Sequence, residues 1–315
     1  MMDGTHLTGL EGANPLGFLA ALGVQVLFLD EPEQPRLWWT DDVMPHAVVD
    51  IEFTEDRIVE KALRTFPKWA DSPALSPGFG DKAACDAKFK PEDIRRYLEY
   101  SLSGGPGCSL PAALVAEGSL DRSKGAVAKP SDLYFTAGQQ RFLSIAREIL
   151  EGVARDDVVN GLVGPWEYSS QLSSLMWDVA DDRTYALTAA DPTNNTLNPK
   201  RTNPGPEALA ILGLSRYPVF AGRDRTLTRG CAGEWRRGGS FTWPLWSRPA
   251  GSGATDSLLA HATADAGTRR FETQRKWYGS WGITQIMTAT IRRSDQGGYG
   301  TFGPPRVIWS AADSG

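Results

Sequence analysis

The sequence is poor in the residues that build metal sites and disulfide frameworks. Its 315 residues include three histidines and three cysteines. Cys85, Cys108 and Cys231 lie far apart and form no C-x-x-C pair, so we expect reduced thiols without a disulfide. No histidine lies at ligand spacing from a cysteine or from a second histidine. The sequence therefore predicts no metal site and no cofactor.

Motifs for nucleotide hydrolysis and for nucleophilic catalysis are also missing. The chain contains no G-x-x-x-x-G-K-[ST] string to hold a phosphate and no G-x-S-x-G string to present a serine. The glycine-rich stretches 103–107 and 297–300 lack a flanking strand and helix, and both are typical of loops. These absences predict a protein that is not an enzyme, while an enzyme of unrecognised chemistry stays an alternative.

Long hydrophobic runs are absent apart from one apolar stretch near the start, residues 16–29. At roughly 14 residues it is shorter than the ~20 that a membrane-spanning helix needs. Asn14 favours a helix N-cap and Pro15 a first helical turn, so this stretch predicts a buried helix. Because no Lys or Arg precedes it, we expect no export signal, no membrane partner and a cytoplasmic location.

The two parts of the chain carry charge of opposite sign. Residues 1–200 contain 18 Lys and Arg against 30 Asp and Glu, a net charge of −12. Residues 201–315 contain 15 against 8, a net charge of +7, and all but one of those cations are arginine. Such a split predicts an acidic body joined to a segment that faces a polyanion. Alternatively, these arginines pair with the acidic part inside one fold.

Cations and aromatic residues are interleaved in the basic segment. Three groups stand out: Arg223, Arg225, Arg229, Arg236 and Arg237 before Trp243 and Trp246; Arg269, Arg270, Arg275 and Lys276 before Trp277, Tyr278 and Trp281; Arg292 and Arg293 before Tyr299 and Phe302. Cations bind the nucleic-acid backbone and rings stack on bases, so this pattern predicts a nucleic-acid surface. The alternative places the tryptophans in the core and the arginines at its solvated rim.

Two smaller groups are further candidates for nucleic-acid binding. They are Asn194, Asn195, Lys200 and Arg201 in a polar loop, and Gln139, Gln140 and Arg141 at a predicted helix N-terminus. Asparagine reads base edges, and a helix N-terminus attracts anions. The alternatives are a structural turn for the loop and helix capping for the second group.

The predicted elements favour an α+β fold with mainly antiparallel pairing. Helices are predicted at 56–66, 91–102, 136–153, 207–214 and 255–266, and strands at 37–40, 47–53, 184–189, 216–221, 240–246 and 283–291, with a loop at 67–82. Helices and strands do not alternate as βαβ units, and the C-terminal part is β-rich. We expect an acidic N-terminal α/β region, 1–130, and a C-terminal α+β region, 131–315, basic from about 201, or one continuous globular unit.

Several stretches resemble proteins encoded in CRISPR loci of subtype I-G, formerly I-U. They are residues 7–10 (LTGL), 14–23 (NPLGFLAALG), 135–143 (FTAGQQRFL), 164–166, 174–178, 182–187, 204–210 and 218–220. The similar proteins include the large Cascade-type subunit and a separate family described as an extension of the helicase-nuclease. None of these stretches is a catalytic signature.

The resemblance implies a non-catalytic nucleic-acid-binding subunit of a type I interference complex. Its implied partners are a guide RNA, target double-stranded DNA, other CRISPR complex subunits and a recruited helicase-nuclease. Whether the chain is the large subunit or the extension is left open. A second hypothesis is a protein–protein adaptor whose arginine-rich half docks an acidic partner without touching nucleic acid.

If the chain contacts the target duplex, its asparagines and arginines are expected to have different roles. Asn194 and Asn195 would set sequence preference, because amides bond base edges. Arg236 and Arg237 would supply affinity that is blind to sequence, because they bind phosphate. We also expect the two larger arginine groups to form one continuous positive surface.

Overall fold

The structure, a computed structural model, describes residues 3–79, 86–122, 125–136, 140–181, 201–222, 226–234, 238–262, 269–293 and 299–312. The helices in these ranges are α1 (Pro15–Leu27), α2 (Glu55–Ala70), α3 (Pro91–Glu99), α4 (Leu110–Leu114), α5 (Phe142–Gly152), α6 (Arg155–Val163), α7 (Pro204–Leu214), α8 (Ser252–Ala262) and α9 (Arg269–Tyr278). The strands are β1 (Gly4–Glu11), β2 (Leu37–Trp39), β3 (His46–Asp50), β4 (Leu120–Asp121), β5 (Val127–Ala128), β6 (Val219–Ala221), β7 (Thr226–Thr228), β8 (Cys231–Glu234), β9 (Gly238–Trp246), β10 (Ile283–Arg293), β11 (Gly300–Phe302) and β12 (Arg306–Ser310). The predicted α+β class with antiparallel sheets and a strand-rich C-terminal part is confirmed.

An antiparallel sheet in the order β1-β3-β2 forms the N-terminal part of the fold. Leu7 and Gly9 of β1 are buried, while the alternating residues His6 and Thr8 are exposed, so one face of the strand packs on the core. The sequence predicts β2 and β3 but not β1, because the two glycines in this strand weaken its strand pattern.

This sheet brings together two histidines that are isolated in the sequence. The Nδ1 atom of His6 and the Nε2 atom of His46 are 2.8 Å apart, and one of the two rings donates the hydrogen bond. Burial lowers the pKa of His46, as does the charge of His6, while Asp42 acts in the opposite direction. The folded protein therefore favours the neutral form of His46.

We expect acid to destabilise the fold through His46. Because the pKa is lowered in the folded state, its stabilising contribution is complete above the ordinary value near 6.5 and is lost as the pH falls below it. The fall in melting temperature between pH 7.5 and pH 5 should be smaller for His46→Gln than for the wild type. His261→Gln, at an exposed histidine of α8, is the matched control and should keep the wild-type response. Equal falls in His46→Gln and the wild type would contradict the prediction.

Helices α1 and α7 lie at the centre of the core, and every residue of both is buried. A Cβ atom added at Gly23 would lie 1.9 Å from the carbonyl oxygen of Leu209. A Cβ atom added at Gly213 would lie 1.9 Å from the carbonyl oxygen of Leu19. The two glycines therefore allow the helix backbones to touch, which no side chain would permit.

Stretches that carry the family resemblance meet in this interior. Asn14 caps α1 by accepting the N–H of Leu16, and its Nδ2 donates to the carboxylate of Asp178 at 3.0 Å. The buried carboxylate of Glu207 in α7 accepts the N–H of Leu175 at 2.8 Å. A buried charge needs such partners, because an unpaired one is costly. These stretches therefore specify how the core is assembled.

The larger sheet has the order β11-β10-β9-β8, and β12 also pairs with β10. Two indole N–H groups of β9 tie it to the N-terminal part: Trp243 donates to Gly12 at 2.8 Å and Trp246 donates to Leu37 at 2.6 Å. Residues on both sides of position 130 pack in the same hydrophobic cluster. The acidic and the basic parts of the chain therefore share one core.

A second, smaller hydrophobic cluster fixes α8 and α9 against β10. It consists of Ala262, Phe271, Tyr278, Ile283 and Ile286. The opposite faces of both helices are exposed. This arrangement presents α8 and α9 at the surface on a rigid support.

Several element boundaries differ from the predicted ones. Helix α2 continues through Pro67, where a loop is predicted, because buried Phe66 and Trp69 hold its last turn to the core. Helix α5 begins at Phe142, several residues later than predicted. Helices α6 and α9 are not predicted, since neither has a regular apolar period. The strand predicted at 184–189 lies outside the described residues.

Candidate nucleic-acid interface

Helix α9 carries a face of exposed cations. Arg269, Arg270 and Lys276 are exposed, and none of the three forms an ion pair with a residue that the structure describes. Side chains four and seven positions apart share one side of a helix, which places Arg269, Thr273 and Lys276 in one row. Three positive charges therefore stand open to an anionic partner.

Trp277 adds an aromatic ring to this surface, and we call Arg269, Arg270, Lys276 and Trp277 the α9 face. The indole is 58% exposed and lies seven positions after Arg270. An exposed ring on a helix that also carries exposed cations suits stacking on nucleobases. The fourth cation predicted in this group, Arg275, pairs instead with Glu272 of the same helix at 2.8 Å.

The opposite face of α9 anchors the helix. Phe271 and Tyr278 are buried in the small cluster, and the ring of Tyr278 meets that of Trp309 edge-on at 5.2 Å. Burial raises the pKa of Tyr278 to about 12, and the charge of Arg270 acts in the opposite direction. The phenol therefore stays neutral in its apolar setting at neutral pH, and the anchored face holds the α9 face toward solvent.

A groove of about 450 Å³ lies between α8 and Trp281, which follows α9. Trp281 is 38% exposed, and its ring centroid lies 5.9 Å from that of His261. Arg248 lines one side of this Trp281 groove, is exposed and forms no ion pair within the described ranges. The other described residues of the lining are small or apolar, including Ala254 and Leu258.

The sequence predicts a surface contact for Arg293, whereas the structure holds it inside the fold. Its guanidinium donates to the carbonyl of Tyr134 at 2.9 Å and to that of Asp132 at 2.7 Å. It also lies 5.0 Å from the centroid of the Phe135 ring. Burial lowers the pKa of Arg293 to about 10, so the group stays charged at neutral pH. Arg293 thus supports a loop, while its neighbour Arg292 is exposed.

Two further cations from the predicted set bind backbone carbonyls. Arg229 donates to the carbonyl of Arg216 at 3.2 Å, and Arg201 donates to that of Ser169 at 3.1 Å. Arg216 is itself 6% exposed and pairs with Asp256 at 2.9 Å. The arginines of the basic segment therefore divide between structural positions and the surface.

The sequence predicts that an anion binds at the N-terminus of α5. In the structure the carboxylate of Asp86 lies at this position. The carboxylate of Asp86 is 2% exposed, accepts the N–H of Phe142 at 3.4 Å and the hydroxyl of Tyr134 at 2.5 Å. Arg141 lies 3.7 Å from the same carboxylate, while Gln140 is exposed. Asp86 therefore complements the positive end of α5 from inside the fold, and phosphate binding at this position stays a prediction.

The other predicted nucleic-acid-binding residues lie outside the described residues. They are Gln139, Asn194, Asn195, Lys200, Arg223, Arg225, Arg236 and Arg237. The continuous surface expected between the two larger arginine groups stays a prediction. So do the separate roles of the asparagine and arginine pairs.

The tryptophans next to the cations divide into two classes. Trp243 and Trp246 are fully buried, as the alternative interpretation holds, whereas Trp277 and Trp281 are exposed. The sequence alone does not identify Arg248, which follows β9 and lies near Trp281 only in the tertiary fold. No local pattern could have identified it.

The described part of the chain offers neither a metal centre nor a membrane span. Within it, no group of three or more His, Cys, Asp or Glu side chains could hold a metal ion. None of the helices given above is long and apolar enough to cross a membrane. The chain matches no protein-family model, and no curated protein matches it.

Proposed function

We propose that this chain is a non-catalytic nucleic-acid-binding subunit of a type I CRISPR interference complex of subtype I-G/I-U. It would contact target DNA, guide RNA or both in the cytoplasm, and help to recruit the helicase-nuclease as a large subunit or as the extension protein. The resemblance of the core stretches supports the family setting. The α9 face is the observation that supports nucleic-acid contact.

Phosphate binding accounts for exposed cations on the α9 face that form no ion pair with a residue that the structure describes. A cation that is solvated in the unbound protein can bind a phosphate without breaking an ion pair. Each phosphate that is neutralised in this way releases counterions from the nucleic acid, and this release drives association. Arg269, Arg270 and Lys276 could each neutralise one phosphate.

The adaptor hypothesis also explains exposed cations, since they could bind an acidic protein. It does not explain why Trp277 and Trp281 stand exposed beside them. Nucleobases offer a flat π face to each indole, whereas acidic side chains offer none. The exposed rings therefore favour nucleic acid over an acidic protein partner.

The proposal predicts salt-dependent binding that requires the α9 cations. Fluorescence anisotropy with a labelled duplex and a labelled RNA should give a linear fall of log affinity with log salt concentration. The variant Arg269→Ala/Arg270→Ala/Lys276→Ala should reduce the slope by about 2.7 for duplex, because each phosphate that is no longer neutralised lowers it by about 0.9. Affinity at moderate salt should fall by about 10- to 100-fold.

A matched control uses three exposed arginines that already form ion pairs in the acidic part. Arg36 pairs with Asp50, and Arg95 and Arg155 also pair with surface carboxylates. Their triple alanine variant should keep the wild-type slope. If the wild type binds neither duplex nor RNA but captures an acidic protein, the adaptor hypothesis replaces this proposal. Co-purification with the products of neighbouring genes and sequencing of any bound RNA test the proposed assembly.

A further inference from the structure

The Trp281 groove differs from the α9 face in its shape and in its chemistry. One wall is the exposed indole of Trp281, and the other is the side of α8 that carries Ala254, Leu258 and His261. Its volume of about 450 Å³ falls in the range of small-ligand sites. Small side chains on α8 leave open space in front of the indole ring.

The charge around the groove is positive. Among the residues that the structure describes, Arg248 lines it without an ion pair, and no Asp or Glu lines it. The acid of α8, Asp256, is bound to Arg216 at 2.9 Å. A ligand that combines a flat ring with a negative group therefore complements this site.

We propose that the Trp281 groove binds one unpaired nucleobase, stacked on Trp281 with its phosphate near Arg248. This inference rests on the proposed function, because the same strand would continue onto the α9 face. Trp281 lies four positions after Trp277, so the groove directly adjoins the cationic helix. A base inside a duplex is stacked on both faces and cannot enter such a groove. The site therefore selects single strands over duplexes.

The test compares a fluorescein-labelled 20-nucleotide oligothymidine with a duplex of the same length at one salt concentration. The wild type should bind the single strand more tightly than the duplex. Trp281→Ala should weaken single-strand binding by roughly 10- to 100-fold, as expected when one base can no longer stack, and leave duplex affinity unchanged. Trp281→Phe retains a ring and should recover most of that affinity.

A second variant tests the groove without removing its ring. Ala254→Leu keeps a good helix former on α8 and fills the space opposite Trp281. It should weaken single-strand binding as Trp281→Ala does, with duplex binding intact. Because the Trp281 ring stays in place beside Tyr278, this result cannot come from a disturbed packing of the two rings.

The outcomes separate this inference from the proposed function. If Trp281→Ala and Ala254→Leu both bind single strands as the wild type does, while salt-dependent binding persists, the groove is not a base site and the proposed function stands. If the wild type prefers the duplex, single-strand selection is overturned. If the wild type binds neither probe, both proposals fail.

Discussion

Alanine at Gly23 or at Gly213 is expected to lower the free energy of unfolding by about 3 kcal/mol, the upper end of the usual cost of overpacking a core. Either new Cβ atom would lie 1.9 Å from a backbone carbonyl oxygen of the facing helix, at Leu209 or at Leu19. A carbonyl in a helix cannot rotate away as a side chain can. The helices must therefore separate, and α1 and α7 lose the close packing that buries all their residues.

Urea unfolding followed by far-UV circular dichroism measures this loss of stability. Gly253→Ala is the matched control, because a Cβ atom at Gly253 in α8 meets nothing within 4 Å. Alanine there restricts only the unfolded chain and should stabilise the protein by about 0.4–1 kcal/mol. A Gly23→Ala or Gly213→Ala variant with wild-type stability would show that α1 and α7 do not touch at this crossing.

Local signals predict elements that are apolar throughout or that carry a clear start signal. The helix cap at Asn14 and the helix after Pro91 can both be predicted, because capping and proline placement act over one turn. The contact between Gly23 and Leu209 cannot be predicted in this way. It depends on two helices that are far apart in the chain, and glycine in a helix carries no signal of what it faces.

Helix α9 shows why the candidate site could be predicted only in part. Its cations and its tryptophan can be identified from the sequence, but its helical form cannot. Only Phe271 and Tyr278 of this segment are buried, which is too few for a helical apolar period. The fold decides which cations share a face, and it leaves Arg275 paired with Glu272.

The exposure of each tryptophan likewise depends on tertiary structure. Trp243 and Trp277 both follow a cluster of cations in the sequence, yet the first is fully buried and the second is 58% exposed. Strand β9 packs Trp243 against Phe18 and Phe241, with ring centroids 6.0 Å and 5.2 Å away. Helix α9 instead leaves Trp277 exposed, although the next residue, Tyr278, is buried. Composition and spacing do not distinguish these two cases.

The stretches with the family resemblance and the candidate interface occupy different parts of the molecule. Asn14, Asp178 and Glu207 form contacts in the interior, whereas the α9 face lies at the surface on residues outside those stretches. The two lines of support for the proposed function are therefore independent. One concerns how the core is assembled, and the other concerns what the surface can bind.

Loss of Arg293 is expected to destabilise the fold without changing how the folded protein binds nucleic acid. Arg293→Ala removes two charge-assisted hydrogen bonds to the carbonyls of Tyr134 and Asp132, and the stacking on Phe135. A hydrogen bond to a charged group contributes roughly 1.5–3 kcal/mol, so we expect the free energy of unfolding to fall by about 3–5 kcal/mol. Arg293→Lys should recover only part of this stability, because an ammonium cannot fork onto two carbonyls.

Arg306→Ala is the matched control for this prediction. Arg306 is exposed on β12, which pairs with β10, the strand that also carries Arg293. Its removal should change stability by less than about 0.5 kcal/mol, as is usual for surface positions. Urea unfolding measures stability, and anisotropy titration of the folded fraction measures affinity.

If Arg293→Ala kept wild-type stability but no longer bound nucleic acid, the guanidinium would have to leave its carbonyl partners and reach phosphate. The structural role assigned to Arg293 would then be excluded, and the cationic surface would extend beyond the α9 face to the end of β10.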